Sequence, residues 1–178
     1  MIKIIVFNGD MTNLKIDIIV NAANKSLLGG GGIDGAIHRK AGPLLKEETI
    51  KLNGCEVGDA KITDAYNLPC DKIIHTVGPV YQDGNHNEEQ LLKDCYINSM
   101  KLAVEYKKVN NLDNIKIAFP CISTGAYGFP KDLACKIAVD TIKQIKDDNI
   151  TVIFACYEEA DYQLYMKEVH NIDIDYFS

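Results

Sequence analysis

The sequence predicts an α/β domain with a parallel or mixed sheet covered by helices on both faces. Short apolar runs of strand length alternate along the chain with longer segments whose apolar residues recur at three-and-four spacing. The residues best suited to chemistry stand at the ends of the short runs, where an open α/β sheet binds its ligands.

Residues 2–7, Ile-Lys-Ile-Ile-Val-Phe, give a first strand closed by the turn Asn8-Gly9-Asp10. Residues 16–20, Ile-Asp-Ile-Ile-Val, give a second that leads straight into Asn21. A helix is expected from Ile33 to Ala41, stopped by Gly42-Pro43, and a further helical segment with Leu44, Leu45 and Leu52 ends near Asn53-Gly54. Residues 60–66 and 72–77 are the third and fourth strands. After a polar break at 82–87, the run from Glu88 to about Lys107 puts Leu91, Leu92, Cys95, Leu102, Ala103 and Tyr106 on one face of a long helix. A fifth strand at 115–119, a helix at 131–145, a sixth strand at 150–155 and a helix at 161–169 complete the pattern. With no internal repeat, linker or low-complexity segment, residues 1–178 are expected to form a single domain.

The composition, 47% hydrophobic and 25% charged, is that of an ordinary soluble globular chain. A formal net charge of -6 provides no broad basic footprint for nucleic acid or anionic membrane, so neither partner is expected. No apolar run approaches the ~20 residues that span a bilayer, and the N-terminus lacks a signal-peptide layout; a cytoplasmic monomer is expected. The six cysteines form no C-x-x-C pair and none lies near a histidine at zinc-ligand spacing. Reduced thiols, no metal and no cofactor are the expectation.

The chemistry concentrates in Asn21-Ala-Ala-Asn24-Lys-Ser-Leu-Leu-Gly29-Gly30-Gly31-Gly32-Ile33-Asp34-Gly35-Ala-Ile-His38. Four consecutive glycines contribute nothing to a core. They let backbone N–H groups approach an anion at a helix start, and phosphate is the natural candidate. The formal match of Gly30-x-Gly32-x-x-Gly35 to a dinucleotide fingerprint is weak, because Asn21 to Gly29 intervene after the strand. A P-loop is excluded by the lack of a following Gly-Lys-Ser/Thr. A second loop rich in glycine and hydroxyls, Ser123-Thr124-Gly125-Ala126-Tyr127-Gly128, follows another strand, and two such loops suit a diphosphate.

Asp34 has two readings: a helix cap, or, beside bound phosphates that raise its proton affinity, a base for water. Asn24 offers the donor and acceptor that a vicinal sugar diol requires, or merely turns the chain. His38 falls one helical turn beyond Asp34 as possible support. Tyr127, Phe129 and Tyr157 read as core aromatics or as platforms for a planar base, and Asp10 as an acceptor for an exocyclic amine. His75, inside an apolar strand, reads as structural. Ser123 lacks the Gly-x-Ser-x-Gly elbow of a nucleophile, and Cys121 has no support beyond its neighbourhood.

Together the motifs Asn8-Gly9-Asp10-Met11-Thr12, Asn21-Ala-Ala-Asn24, Gly29 to His38, Ile74-His-Thr-Val-Gly-Pro79, Pro120 to Pro130 and Tyr157 make the chain resemble a macrodomain of the MacroD-like group over nearly its whole length. The resemblance implies a three-layer α/β/α fold with a six-stranded mixed sheet that binds ADP-ribose. It implies hydrolysis of the ester joining ADP-ribose to aspartate or glutamate side chains of ADP-ribosylated proteins, and deacetylation of O-acetyl-ADP-ribose. By position, Asp10 would recognise the adenine amine, Met11 would offer backbone to the base and Tyr157 would stack on it. Gly30, Gly31, Gly32 and Ile33 would hold the diphosphate with Ser123, Thr124, Gly125, Ala126 and Tyr127, leaving Asn24 and Asp34 for the distal ribose and the attacking water. Met11 departs from the isoleucine expected after Gly-Asp, at a position whose contribution is main-chain. Water would attack the ester carbonyl or the anomeric carbon, with Asp34 or a substrate phosphate oxygen as the base. The rival is a non-catalytic ADP-ribose reader, which has no need of Asn24 and Asp34 together at the sugar end.

Overall fold

The computed structural model describes residues 2–147 and 149–177, except for the side chains of 170–177. Six strands, β1 (Lys3–Asn8), β2 (Ile18–Ala23), β3 (Ala60–Asp64), β4 (Lys72–Val77), β5 (Ile115–Phe119) and β6 (Ile150–Cys156), form one sheet in the order β1-β6-β5-β2-β4-β3. All neighbours are parallel except β3, which runs antiparallel to β4 at the edge. The helices are α1 (Gly32–Ala41), α2 (Pro43–Ile50), α3 (Glu88–Val109), α4 (Lys131–Lys143) and α5 (Glu159–Phe177), with one 3-10 turn at Met11–Asn13. This is a three-layer α/β/α arrangement with a six-stranded mixed sheet, as expected.

Alternation along the central strands explains the layers, since successive side chains of a strand point to opposite faces. In β2, Ile18 and Val20 join the cluster formed with Leu92, Met100, Phe119, Ala138 and Phe154 from the α3–α4 side, while Ile19 joins Ile37, Leu45 and Ile73 under α1 and α2. Tyr96, Phe119 and Phe154 pack with ring centroids 5.0 to 6.5 Å apart. Each such buried aromatic contributes about 1.5–3 kcal/mol from burial alone.

β2 runs three residues beyond its expected end. Asn21, Ala22 and Ala23 pair with His75, Thr76 and Val77 of β4, and Asn21 and His75 are fully buried on the α1 face. The segment before α3 is gathered by Glu88, whose carboxylate accepts from the N–H groups of Gln82, Asp83, Gly84 and His86 at 2.6 to 3.1 Å. The six cysteines are free, five of them buried. Among the described residues, no helix is long and apolar enough to cross a membrane.

Candidate functional site

At the carboxyl ends of the parallel strands lies a cleft of about 450 Å³, walled by Ala22 to Asn24 and Gly30 to Asp34 on one side and by Gly78, Cys121 to Ser123 and Gly125 to Tyr127 on the other. The first wall is the end of β2 and the start of α1; the second is Gly78, just past β4, with the loop that follows β5. Both glycine-rich loops therefore face one space. The first turn of α1 opens into it, and a helix N-terminus carries unsatisfied N–H groups and positive dipole charge.

The second loop is closed by its own bonds: Gly128 N–H donates to the Gly125 carbonyl at 3.0 Å, and Phe129 N–H to that of Ser123 at 2.9 Å. The Tyr127 carbonyl accepts from Tyr81 N–H at 2.8 Å. Ser123 holds a left-handed φ of 67°, a conformation that costs a non-glycine residue about 1–3 kcal/mol. Its Oγ is buried without a partner. Opposite it stands Gly78, where a Cβ would come within 2.7 Å of Ile122 Cγ2; only bare backbone fits.

Asp34 and Asn24 meet at one point. A Cβ built on Gly30 would lie 3.1 Å from Asp34 Oδ2 and 3.3 Å from Asn24 Nδ2. Asn24 is fixed by donating from Nδ2 to the Gly29 carbonyl at 3.0 Å and accepting at Oδ1 from Ser26 Oγ at 2.6 Å. Asp34 Oδ1 accepts from Asn21 Nδ2 at 2.8 Å, a hydrogen bond to a charged group of the kind worth about 1.5–3 kcal/mol. Burial pushes the Asp34 carboxyl above its usual range, against the opposing effects of the Asn21 bond and of charge on His38. The direction is the one expected from the sequence, but the cause already present is loss of solvent rather than a neighbouring phosphate. His38 Nε2 lies 3.5 Å from Asp34 Oδ1 and has no hydrogen-bond partner. That separation allows electrostatic attraction but no hydrogen bond.

The remaining candidates lie outside this cleft. Asp10 caps the 3-10 turn, its Oδ1 accepting from Thr12 N at 2.9 Å and Thr12 Oγ1 at 2.6 Å while Oδ2 pairs with Lys40 at 3.1 Å. The Thr12 hydroxyl leads the influences that hold its carboxyl below the usual value. Met11 is buried in that turn, and Tyr157 stands 81% exposed just past β6. Since β1 and β6 are neighbours, these three share the rim at one end. Phe129 is buried against Tyr81, with ring centroids 4.9 Å apart, and reads as a core aromatic. Thr124 turns its hydroxyl to the Cys121 carbonyl at 2.9 Å.

Asn21, which holds Asp34, was not singled out from the sequence. A polar residue inside an apolar strand was the available signal, because a fully buried amide needs partners. For a metal, the described residues bring three ligand atoms together only at Asp83, His86 and Glu88. There the Glu88 oxygens already serve backbone N–H groups, so the cluster fastens a loop.

A mixed sheet carrying a cleft walled by two glycine-rich loops at its strand ends places the chain among the open α/β domains that take their ligands there. The Macro domain family profile matches residues 20–138, and the chain belongs to the macrodomain family. It is 51% identical over 172 residues to an O-acetyl-ADP-ribose deacetylase of Escherichia fergusonii, covering 93% of this chain and 94% of that protein. It is 49% identical over 175 residues to the ADP-ribose glycohydrolase MACROD2 of Mus musculus, covering 94% of this chain but 35% of that one. Among solved structures, an Oceanobacillus iheyensis macrodomain variant with ADPR superimposes with a TM-score of 0.85 at 39% identity, over 94% of this chain and 91% of that one. A Trypanosoma brucei macrodomain in complex with ADP-ribose does so with a TM-score of 0.82 at 40% identity, over 93% and 68%.

Proposed function

We propose that the protein is a hydrolase of ester-linked ADP-ribose, acting on mono-ADP-ribosylated aspartate and glutamate side chains and on O-acetyl-ADP-ribose. The observation that carries this reading is the convergence of Asp34 Oδ2 and Asn24 Nδ2 above Gly30, at the end of a cleft lined by two glycine-rich loops. The amides of Gly30 to Ile33 and of Ser123 to Tyr127 grip the diphosphate from two sides. Adenine lies toward Asp10, Met11 and Tyr157, and the distal ribose toward Asn24 and Asp34. Asn24, anchored at both ends of its amide, orients the ribose hydroxyls. Asp34, with Oδ1 held by Asn21, keeps Oδ2 for the attacking water, and its raised proton affinity makes it a stronger base than an exposed carboxylate. Water adds to the ester carbonyl as Asp34 takes its proton, the acyl–oxygen bond breaks, and that proton passes from Asp34 to the departing ribose oxygen, which leaves as a hydroxyl. Holding water, ester and carboxylate in register lowers the barrier without a covalent intermediate.

The test is to incubate the protein with an aspartate- or glutamate-ADP-ribosylated target and measure free ADP-ribose. Asp34→Ala and Asn24→Ala are expected to lower turnover about 100-fold or more while calorimetric binding of ADP-ribose persists. Tight binding with no release by the unmodified protein would make it a reader; full turnover in both variants would discard the assigned roles.

A further inference from the structure

We propose that His75 is a positioning residue for this reaction: through the amide of Asn21 it fixes the Asp34 carboxylate, so that Oδ1 is held and Oδ2 faces the cleft. The inference rests on the function proposed above and extends it beneath the site, to a histidine that touches no part of the cleft.

The protons of this buried chain are assigned from its donors and acceptors. Thr63 Oγ1 has one hydrogen; with that hydrogen on the Asp64 carbonyl at 3.0 Å, the contact with His75 Nε2 at 2.9 Å is one that the ring donates. His75 therefore carries its hydrogen on Nε2 and presents a bare Nδ1. That nitrogen lies 3.1 Å from Asn21 Nδ2 and accepts one amide hydrogen; the other goes to Asp34 Oδ1 at 2.8 Å. Both hydrogens of the amide are used, and the Asn21 oxygen is left buried and unpartnered. An amide turned the other way would aim its oxygen at a carboxylate. It would also oblige His75 to move its proton to Nδ1 and Thr63 to leave the Asp64 carbonyl. A single ring tautomer thus makes the productive amide orientation the favoured one, at the standing cost of one unsatisfied oxygen. A neutral ring is also what its burial dictates: loss of solvent, with a smaller effect of charge on His38, drops the His75 imidazole to about 3.

The register explains the arrangement. Asn21 and His75 are direct partners in adjacent parallel strands, on the face that α1 covers. Around Asp34 the titratable groups are His38 on its own helix, His75 on β4 beneath, and Cys121 and Tyr127 across the cleft after β5; Arg39 of α1 lies against Gly35. His75 alone reaches the carboxylate through a hydrogen-bonded residue.

His75→Leu removes the acceptor. With Asn21 free to turn, Asp34 loses a charge-assisted donor, and its carboxyl is expected to titrate about one unit higher. The acidic limb of the kcat/KM profile then moves up by the same amount, so the rate at a pH on that limb falls about tenfold, with KM and ADP-ribose affinity kept. His75→Asn, which restores an oxygen near the place of Nδ1, is expected to recover most of the rate and the original limb. A merely structural histidine would lower the melting temperature without moving the limb. Two spectroscopic readings need no turnover: 15N shifts of the imidazole, expected to show hydrogen on Nε2, and the 13C titration of the Asp34 carboxyl in unmodified and variant protein. If the unmodified protein releases no ADP-ribose, the proposed reaction fails, and the carboxyl titration still decides the role of His75. Should His75→Leu not fold, Thr63→Val, which frees the tautomer, is expected to shift the same titration in the same direction. An unmoved Asp34 titration in the variant that folds, or hydrogen found on Nδ1, overturns the proposal.

Discussion

Gly35→Ala is a severe test of how the glycine loop is seated. Gly35 is buried within α1, and in a helix interior alanine is ordinarily better than glycine by about 1 kcal/mol. Here a Cβ would stand 2.5 Å from the Gly30 carbonyl oxygen, roughly 1 Å inside an ordinary carbon–oxygen contact. The obstacle is main chain, so relief requires Gly30 to move outward by about that amount; overpacking of this kind costs about 1–3 kcal/mol. The sign of the substitution therefore reverses, and a net loss of about 1 kcal/mol lowers the melting temperature by about 2–4 °C in a chain of this size. The functional loss is expected to be larger. Gly30 adjoins both Asp34 Oδ2 and Asn24 Nδ2, and a displacement of about 1 Å at a reacting centre costs on the order of 100-fold in rate. Scanning calorimetry, titration with ADP-ribose and the release assay measure the three quantities. A Gly35→Ala protein that melts at or above the unmodified one and turns over normally would refute the close seating of the loop on α1.

Gly31→Ala and Gly125→Ala invert this logic: a Cβ at either position meets nothing within 4 Å, so melting should shift by no more than about 2 °C. ADP-ribose affinity should nevertheless fall about tenfold or more, or 1.4 kcal/mol, if these backbones lie against the diphosphate; unchanged affinity in both would remove the phosphates from these loops. Glu88→Gln should lower the melting temperature at neutral pH, because burial raises the Glu88 carboxyl but the N–H donors around it prevail and pull it to about 2 from an ordinary 4.5. A lowered value means stability present above pH 4.5 and lost as pH falls toward 2, so the gap between variant and unmodified protein should close over that window in thermal melts. A gap constant across it would mean that the charge of Glu88 is not what gathers the loop.

Period and punctuation were enough to anticipate the alternating elements, because strands covered on both faces read as apolar runs and the helices read at three-and-four spacing. The rim rule then brought Asn24, Asp34 and the loop after β5 to one cleft. What the chain did not disclose depends on pairing. β2 extends to Ala23 because its last three residues find partners on β4, and no local signal announces a partner. For the same reason the link from Asn21 to His75 was out of reach, since 54 residues separate them. The antiparallel direction of β3 and the 3-10 turn capped by Asp10 were likewise set by tertiary context. Phe129 was legible from its type alone: an aromatic is usually core, and it is buried against Tyr81.

The strand order carries a lesson about assembly. Among the described residues, β1, the first strand in sequence order, has β6 as its one sheet neighbour, and β6 also borders β5. The native sheet pairing of the N-terminal strand therefore requires residues 150–156, almost the full length of the chain away. The end of the groove near Asp10 and Tyr157 depends on that one long-range pairing, and a chain truncated before β6 would have neither a seated first strand nor a finished pocket.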